Sequence, residues 1–426
     1  MKRRAFLAAG IFPFLSTPLL AAPKTGAARK AATKPKPRAK AKGKAGKKAA
    51  ESGRSSAPPA ANPRTTAQRS VLDAAHPGSS ATRLPPVRPQ ELPGNWQRRS
   101  ITFQVAPGPS RGRQRLWLPL PMNQDTLYQR SLGVYWQGNA ERGAIVRLPE
   151  GDLEAFYGEW PAGVAPQLAL TVIAETSNRR FDVSRRSEPP EREDLVRRFL
   201  SASRQLPNEG RVYALALEIV GRVVDPVAQA RVLYDWVIAR ADYNPDLPGG
   251  GHGDARALLE NLPAPTPPGW RYQGGSADVA GLFTALCRAI GIPARRVFGF
   301  YAAPSQTRGS LGLANADATR AAHCRAEFYI PGYRWIGVDP AGVCRAVTMG
   351  GLEDGDAQRV AWQRLLFGVW EMNWLAWNIS EDVRLPLPGD DNGPFLPFFC
   401  LPRLDRPEGE LDGMNPETFG YRIEVS

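Results

Sequence analysis

Three residues have the types and spacing of nucleophilic chemistry: Ser276, His323 and Asp339. Ser276 precedes a run with apolar residues at 279, 282, 283, 286 and 290, one face at a helical period, which predicts an amphipathic helix over 277–290 packed on a core. Gly291 supplies a left-handed stop, and Pro293 prevents the helix from resuming. A hydroxyl at such a helix start lies among unpaired backbone N–H groups at the positive end of the dipole. An anion on it is stabilised there, and the neighbouring amides can hold an oxyanion. Serine is also among the best N-caps, and a cap needs no chemistry.

The downstream residues add a base and its support. Arg296–Tyr301 reads as a buried strand and is followed by a loop of about twenty residues, long for a compact domain. His323–Ile330 then alternates as a strand, with Ala326, Phe328 and Ile330 on one face and His323 on the other. Pro331-Gly332-Tyr333 turns the chain, and Arg334–Pro340 returns as the partner strand. This hairpin sets His323 and Asp339 opposite each other or one diagonal step apart, within side-chain reach. A carboxylate beside an imidazole fixes its tautomer and stabilises the imidazolium.

The run GGSADVAGLFTALCRAIGIPARRVFGF, followed by HCRAEFYIPGYRWIGVDP, resembles the transglutaminase-like superfamily, whose core is shared with papain-like cysteine proteases. The resemblance covers roughly residues 230–345. It implies an α+β fold, with a transglutaminase-like (papain-like) core of helices on an antiparallel sheet, and a Cys-His-Asp acyl-transfer triad. By position the triad falls on Ser276, His323 and Asp339, so this chain has Ser where the resemblance expects Cys. A thiol can become a thiolate at a helix N-terminus beside an imidazolium, whereas an alcohol must lose its proton to a base during attack. The leading reading is therefore a site inactive or weakened in acyl transfer. Two alternatives stand beside it: a working serine amidase, peptidase or acyl transferase, and a non-catalytic scaffold that binds an envelope partner.

No other cysteine replaces the missing thiol. Cys324 points to the strand face opposite His323, and Cys287 lies eleven residues down the helix, about 16 Å away. Cys344 and Cys400 fall outside the motif, and four cysteines permit one or two disulfides. Neither a cofactor nor a metal is expected: the three histidines, His76, His252 and His323, form no ligand cluster, and Gly249–Asp254 lacks the Lys-Ser/Thr ending of a phosphate loop. Trp270 and Gln273 are candidates for an oxyanion or substrate wall by position alone.

The remaining chain divides by composition. Residues 1–22, with Arg3-Arg4 ahead of an apolar run, resemble a twin-arginine export signal and imply an exported protein, periplasmic or extracellular in a bacterium. Residues 23–96 form an Ala/Pro/Lys-rich linker expected to be disordered. Residues 1–70 carry 17 Lys or Arg against one acid, leaving about −2 on the remainder, and all ten lysines fall within the first 48 residues. The basic charge is thus on the tail, which argues against specific nucleic-acid binding by the folded body. The tail reads as a solvated linker, or as an electrostatic contact for an anionic envelope polymer. The expected cleft partner is a peptide or protein in the envelope.

Alternating apolar residues at 101–105, 116–118 and 168–172 predict a small β-sandwich over 97–185. Residues 190–348 form the transglutaminase-like part, opened by helices over Asp194–Gln205, Gly210–Val223 and from Asp225-Pro226. Residues 349–426 form a C-terminal extension packed on the core, in which Trp370, Trp374 and Trp377 are spaced for one helical face.

Overall fold

The computed structural model describes residues 95–426 apart from 123–125, 149–150, 185, 187–188, 245, 248–250, 264, 390–391 and 412. The segments expected to be an export signal (1–22) and, for nearly all of its length, a basic linker (23–96) lie outside the described residues. Among the described residues no helix is long and apolar enough to cross a membrane.

The N-terminal strands are β1 (Gln97–Val105), β2 (Gln114–Pro119), β3 (Gln129–Gly138), β4 (Arg142–Leu148), β5 (Leu153–Trp160) and β6 (Leu168–Thr176). They form two antiparallel sheets whose edges are closed by the other end of the chain. β17 (Arg403–Asp405) pairs with β2, and β18 (Tyr421–Val425) pairs with β1. The sheet orders are β18-β1-β6-β3 and β17-β2-β5-β4. Strict alternation on β6, with Leu168, Leu170, Val172 and Ala174 buried, matches a strand with one face in a core.

The central sheet has the order β12-β11-β10-β14, built from β10 (Ala294–Tyr301), β11 (Ala322–Ile330), β12 (Arg334–Val338) and β14 (Trp374–Asn378). One core joins Cys324, Ala326 and Phe328 of β11 to helices α2 (Arg211–Val220), α3 (Pro226–Arg240) and α5 (Ser276–Ala289). A second core joins Tyr301, Tyr329, Trp335 and Trp374 to the sandwich strands. Every residue of α5 is buried, so the expected amphipathic helix is instead enclosed on all sides. The helices cover the face that faces away from the sheet, and its polar groups are satisfied locally: Thr284 Oγ1 donates to Ala280 O, and Arg288 Nε to Ala294 O. Gly291 takes φ +83°, and the Ile292 and Gly291 N–H groups close back on the Cys287 and Arg288 carbonyls in the helix-terminating motif expected there.

Two further expectations are corrected. The helix over Asp194–Gln205 is a single turn, α1 (Glu193–Arg197), followed by a 3-10 turn to Leu200; Pro207 restricts the segment before it, which runs out to bury Leu206 beneath Gly281 of α5. The tryptophan series is not helical. α7 (Ala357–Leu365) ends before Gly368 at φ +108°, and Trp370 and Trp374–Trp377 lie on strands β13 (Val369–Trp370) and β14. The open edge of β10 takes β14 as its neighbour, and backbone pairing of a sheet edge outweighs a local helical spacing. Of the one or two disulfides that four cysteines permit, none is present among the described residues.

Candidate functional site

Strand β9 (Tyr272–Gly274) runs parallel to β8 (Ala241–Tyr243) and delivers the chain to Gly275, the N-cap of α5. Ser276 is therefore the first helical residue and does not cap the helix. The capping carboxylate belongs to Asp278, whose Oδ2 accepts the Gly275 N–H at 2.8 Å while Oδ1 accepts the Gly253 N–H at 2.7 Å. Arg296 Nη1 donates to Gly253 O at 2.8 Å, so both the N–H and the C=O of Gly253 are held beside the helix start. Gly251 has φ +96°, and a Cβ there would lie 1.8 Å from Asp278 Oδ2, so only glycine fits. Burial pushes the Asp278 carboxyl up, against the two N–H donors, which pull it down.

With the cap provided by Asp278, the Ser276 hydroxyl is free for another contact. Its Oγ accepts the backbone N–H of Cys324 at 3.0 Å, and the residue is fully buried. This N–H belongs to the residue next to His323. Ser276 and Ala277 occupy the first two helical positions, where no preceding turn supplies a carbonyl, and their N–H groups are the donors available to an oxyanion.

His323 and Asp339 meet as the hairpin predicts. The register pairs Ala326 with Val338, which sets Asp339 opposite Arg325 and one diagonal step from His323. His323 Nε2 lies 3.0 Å from both Asp339 oxygens. An ionised carboxylate only accepts, so Nε2 carries a proton, and in the neutral ring Nδ1 keeps its lone pair. That Nδ1 is buried without a hydrogen-bond partner, and no hydrogen bond joins it to Ser276. Asp339 is also the N-cap of α6 (Pro340–Gly350), accepting the Gly342 N–H at 2.7 Å, and Arg325 Nε donates to its Oδ2 at 3.1 Å. Gly342 must be small, because a Cβ would come within 2.9 Å of the carboxylate.

The electrostatics follow from this packing. Burial pushes the His323 ring below the ordinary histidine range; Asp339 pushes it back up, and Arg325 and Arg345 add to the downward push. Burial alone would raise the Asp339 carboxyl, but His323, Arg325 and the Gly342 N–H together hold it low. Both shifts favour a neutral imidazole on an ionised carboxylate. Burial pushes the Cys287 and Cys324 thiols up, and Cys344 and Cys400 up to about 12, so none of them supplies a ready thiolate.

Several supporting residues were not apparent in the sequence. Tyr301 stacks on His323 with ring centroids 4.7 Å apart, and Trp374 Nε1 donates to the His323 carbonyl at 3.1 Å. Trp374 reaches it across Gly299, where a Cβ would lie 2.1 Å from the Leu375 carbonyl oxygen. The alternation on β11 that marks His323 also marks Arg325 as sharing its face, and that was the available signal. Gln273 is exposed and turns toward Asp242, and Trp270 packs on Tyr272, so neither touches the dyad. The long 302–321 loop is tied down by Arg345 Nε to Ser310 O and Asn373 Nδ2 to Leu311 O. Beside it opens a groove of about 600 Å³ whose lining includes Tyr301 and Arg345, one ring removed from His323.

Residues 213–340 match the transglutaminase-like superfamily. A Haemophilus influenzae protein described as uncharacterized is 28% identical over 337 residues, which span 74% of this chain and 87% of that protein. Among solved structures, a proposed cysteine protease of Cytophaga hutchinsonii aligns with a TM-score of 0.43 at 16% identity, covering 78% of this chain and 98% of its own. The periplasmic domain of TgpA from Pseudomonas aeruginosa aligns with a TM-score of 0.31 at 18% identity, covering 59% of this chain and 90% of its own. The segment that matches the transglutaminase-like superfamily thus comprises helices packed on an antiparallel sheet, and it contains Ser276, His323 and Asp339.

Proposed function

We propose that the protein is an exported acyl-transfer enzyme of serine type, hydrolysing or transferring a peptide or side-chain amide or ester, with Ser276 as nucleophile, His323 as base and Asp339 orienting the base. The observation that carries this reading is the unpartnered, buried His323 Nδ1, on a ring whose Nε2–H is held by Asp339, next to the residue whose N–H holds the Ser276 hydroxyl. Ser276 Oγ attacks the carbonyl carbon as its proton passes to Nδ1. The resulting imidazolium, braced by Asp339, then protonates the departing amine or alkoxide. Water or an amine, activated by the same nitrogen, releases the acyl group. Ser276 and Nδ1 must close on one another when substrate binds, since they are not bonded without it. Export rests on the Arg3-Arg4 leader, and the partner is a peptide or protein outside the cytoplasm.

The test is mass-spectrometric mapping after treatment with a fluorophosphonate. A single adduct on Ser276 that is lost in His323→Ala is the expected result. No adduct on the folded protein, together with activity gained in Ser276→Cys on a panel of amides and esters, would return the site to the weakened class. The full burial of Ser276 favours a second reading, a non-catalytic cleft in which the hydroxyl serves only to dock α5 on β11. In that case neither the serine nor the cysteine form reacts, and Ser276→Ala retains partner binding.

A further inference from the structure

The Asp339 carboxylate does not belong to His323 alone. Arg325 is 3% exposed, and its Nε donates to Oδ2 at 3.1 Å, the same oxygen that lies 3.0 Å from the imidazole Nε2. The guanidinium is sandwiched by aromatic surface, with its carbon 4.6 Å from the Trp374 ring centroid, and its Nη1 is buried without a partner. We propose that Arg325 is a positioning residue that takes up the negative charge of Asp339, so that His323 is kept as an uncharged base suited to a hydroxyl nucleophile and unsuited to a thiolate–imidazolium pair. Its catalytic consequence rests on the serine-type reading above; the charge of His323 itself is measurable without turnover.

The physical reason is charge balance in a dry site. A buried carboxylate whose one ionic partner is an imidazole draws a proton onto that ring, because the ion pair is then neutral. With Arg325 already on the carboxylate the pair is neutral before the ring is considered, and an imidazolium would add uncompensated positive charge. The surroundings offer nothing to offset it. From β10 the ring faces Tyr301, a neutral stacked phenol. From α6 come Arg345, a second cation, and Cys344, whose thiol burial pushes up to about 12. From α3 comes Tyr234, whose hydroxyl burial keeps protonated, and from β14 Trp374, which bonds only the His323 carbonyl. On β11 itself, Glu327 is closed off by Arg179 and Arg295. A thiolate needs an imidazolium to hold it, whereas an alcohol needs a base that is free to accept.

The test is a nitrogen-15 imidazole titration of the full chain, with His323 identified by substituting His76 and His252. In the wild type, His323 should be a neutral Nε2–H ring at neutral pH, with its midpoint below the ordinary histidine range. In Arg325→Met its midpoint should rise by about one unit or more, and Arg325→Lys should restore wild-type behaviour. Arg325→Gln, which keeps a donor toward Oδ2 without the charge, makes the same comparison should the Met variant fail to fold. In Ser276→Cys the new thiol should stay protonated near neutral pH, and adding Arg325→Met should generate thiolate absorbance. A wild-type imidazolium at about pH 7, or an unmoved midpoint in a folded Arg325→Met or Arg325→Gln protein, overturns the proposal. Absence of a fluorophosphonate adduct alongside an Arg325-dependent midpoint would sink the serine-type reading and leave this inference intact.

Discussion

Two buried charge clusters share one face of β11 and are built on opposite plans. Glu327 is held from both sides, by Arg179 Nη1 on one oxygen and by Arg295 Nε at 2.6 Å on the other, while Arg179 Nη2 reaches the Trp335 carbonyl. Burial would raise the Glu327 carboxyl, but the two guanidiniums hold it below its ordinary range. Four residues earlier, the cluster of His323, Asp339 and Arg325 leaves two buried nitrogens, His323 Nδ1 and Arg325 Nη1, without partners. The Glu327 carboxylate has both oxygens satisfied, and an orphaned buried group costs about 1–3 kcal/mol. A site must keep such groups open for a substrate. The comparison separates what holds the sheet together from what is available for chemistry.

The largest expected effect falls on the closed cluster. Glu327→Gln strands two half-buried guanidiniums and should cost about 3–5 kcal/mol in urea unfolding. Where the variant is still folded, its fluorophosphonate labelling should match wild type; a loss of labelling at unchanged stability would merge the two clusters into one.

Acid should act on both clusters in the same direction. Asp339, Glu327 and Glu381 are held low in the folded chain, the last by Arg288 and Arg296 against burial, so the unfolded chain binds more protons as pH falls. Their stabilisation is complete above the unfolded carboxylate values of about 4 and is lost as pH falls through the lower folded values. His323, pushed down by burial, works in the same sense and begins at its unfolded value of about 6.5. Urea midpoints measured across this range should fall steadily with acidification, and Glu327→Gln should flatten the most acidic part.

Smaller effects sharpen the open cluster. Gly342→Ala places a methyl against the Asp339 carboxylate and should cost about 1–3 kcal/mol, with labelling of Ser276 reduced beyond what that loss of stability explains. Ser276→Ala removes one acceptor for the Cys324 N–H and should change stability by only about 1 kcal/mol while abolishing the adduct. A much larger stability loss would make the hydroxyl a structural peg.

The hairpin from His323 to Asp339 was legible because it is local: a two-fold alternation and a Pro-Gly turn fix which side chains meet. The termination of α5 at Gly291 was legible for the same reason. The helical expectation for Trp370, Trp374 and Trp377 failed because a spacing of four and three describes a helix only if no strand edge competes, and the edge of β10 lies some 75 residues earlier. Ser276 read as a cap until Asp278, two residues on, proved to hold the N-cap amide in its place.

The sequence by itself determined the order of the site, a helix-end hydroxyl, a strand imidazole and a turn-linked carboxylate, because each is written in the periodicity of its own element. The tertiary structure alone decided that the C-terminal strands close the sandwich, that Trp374 reaches across Gly299 to the base, and that Arg325 shares the carboxylate with His323. Such contacts join distant or alternating positions, whose meeting depends on sheet register and the twist of packed layers and has no local signature.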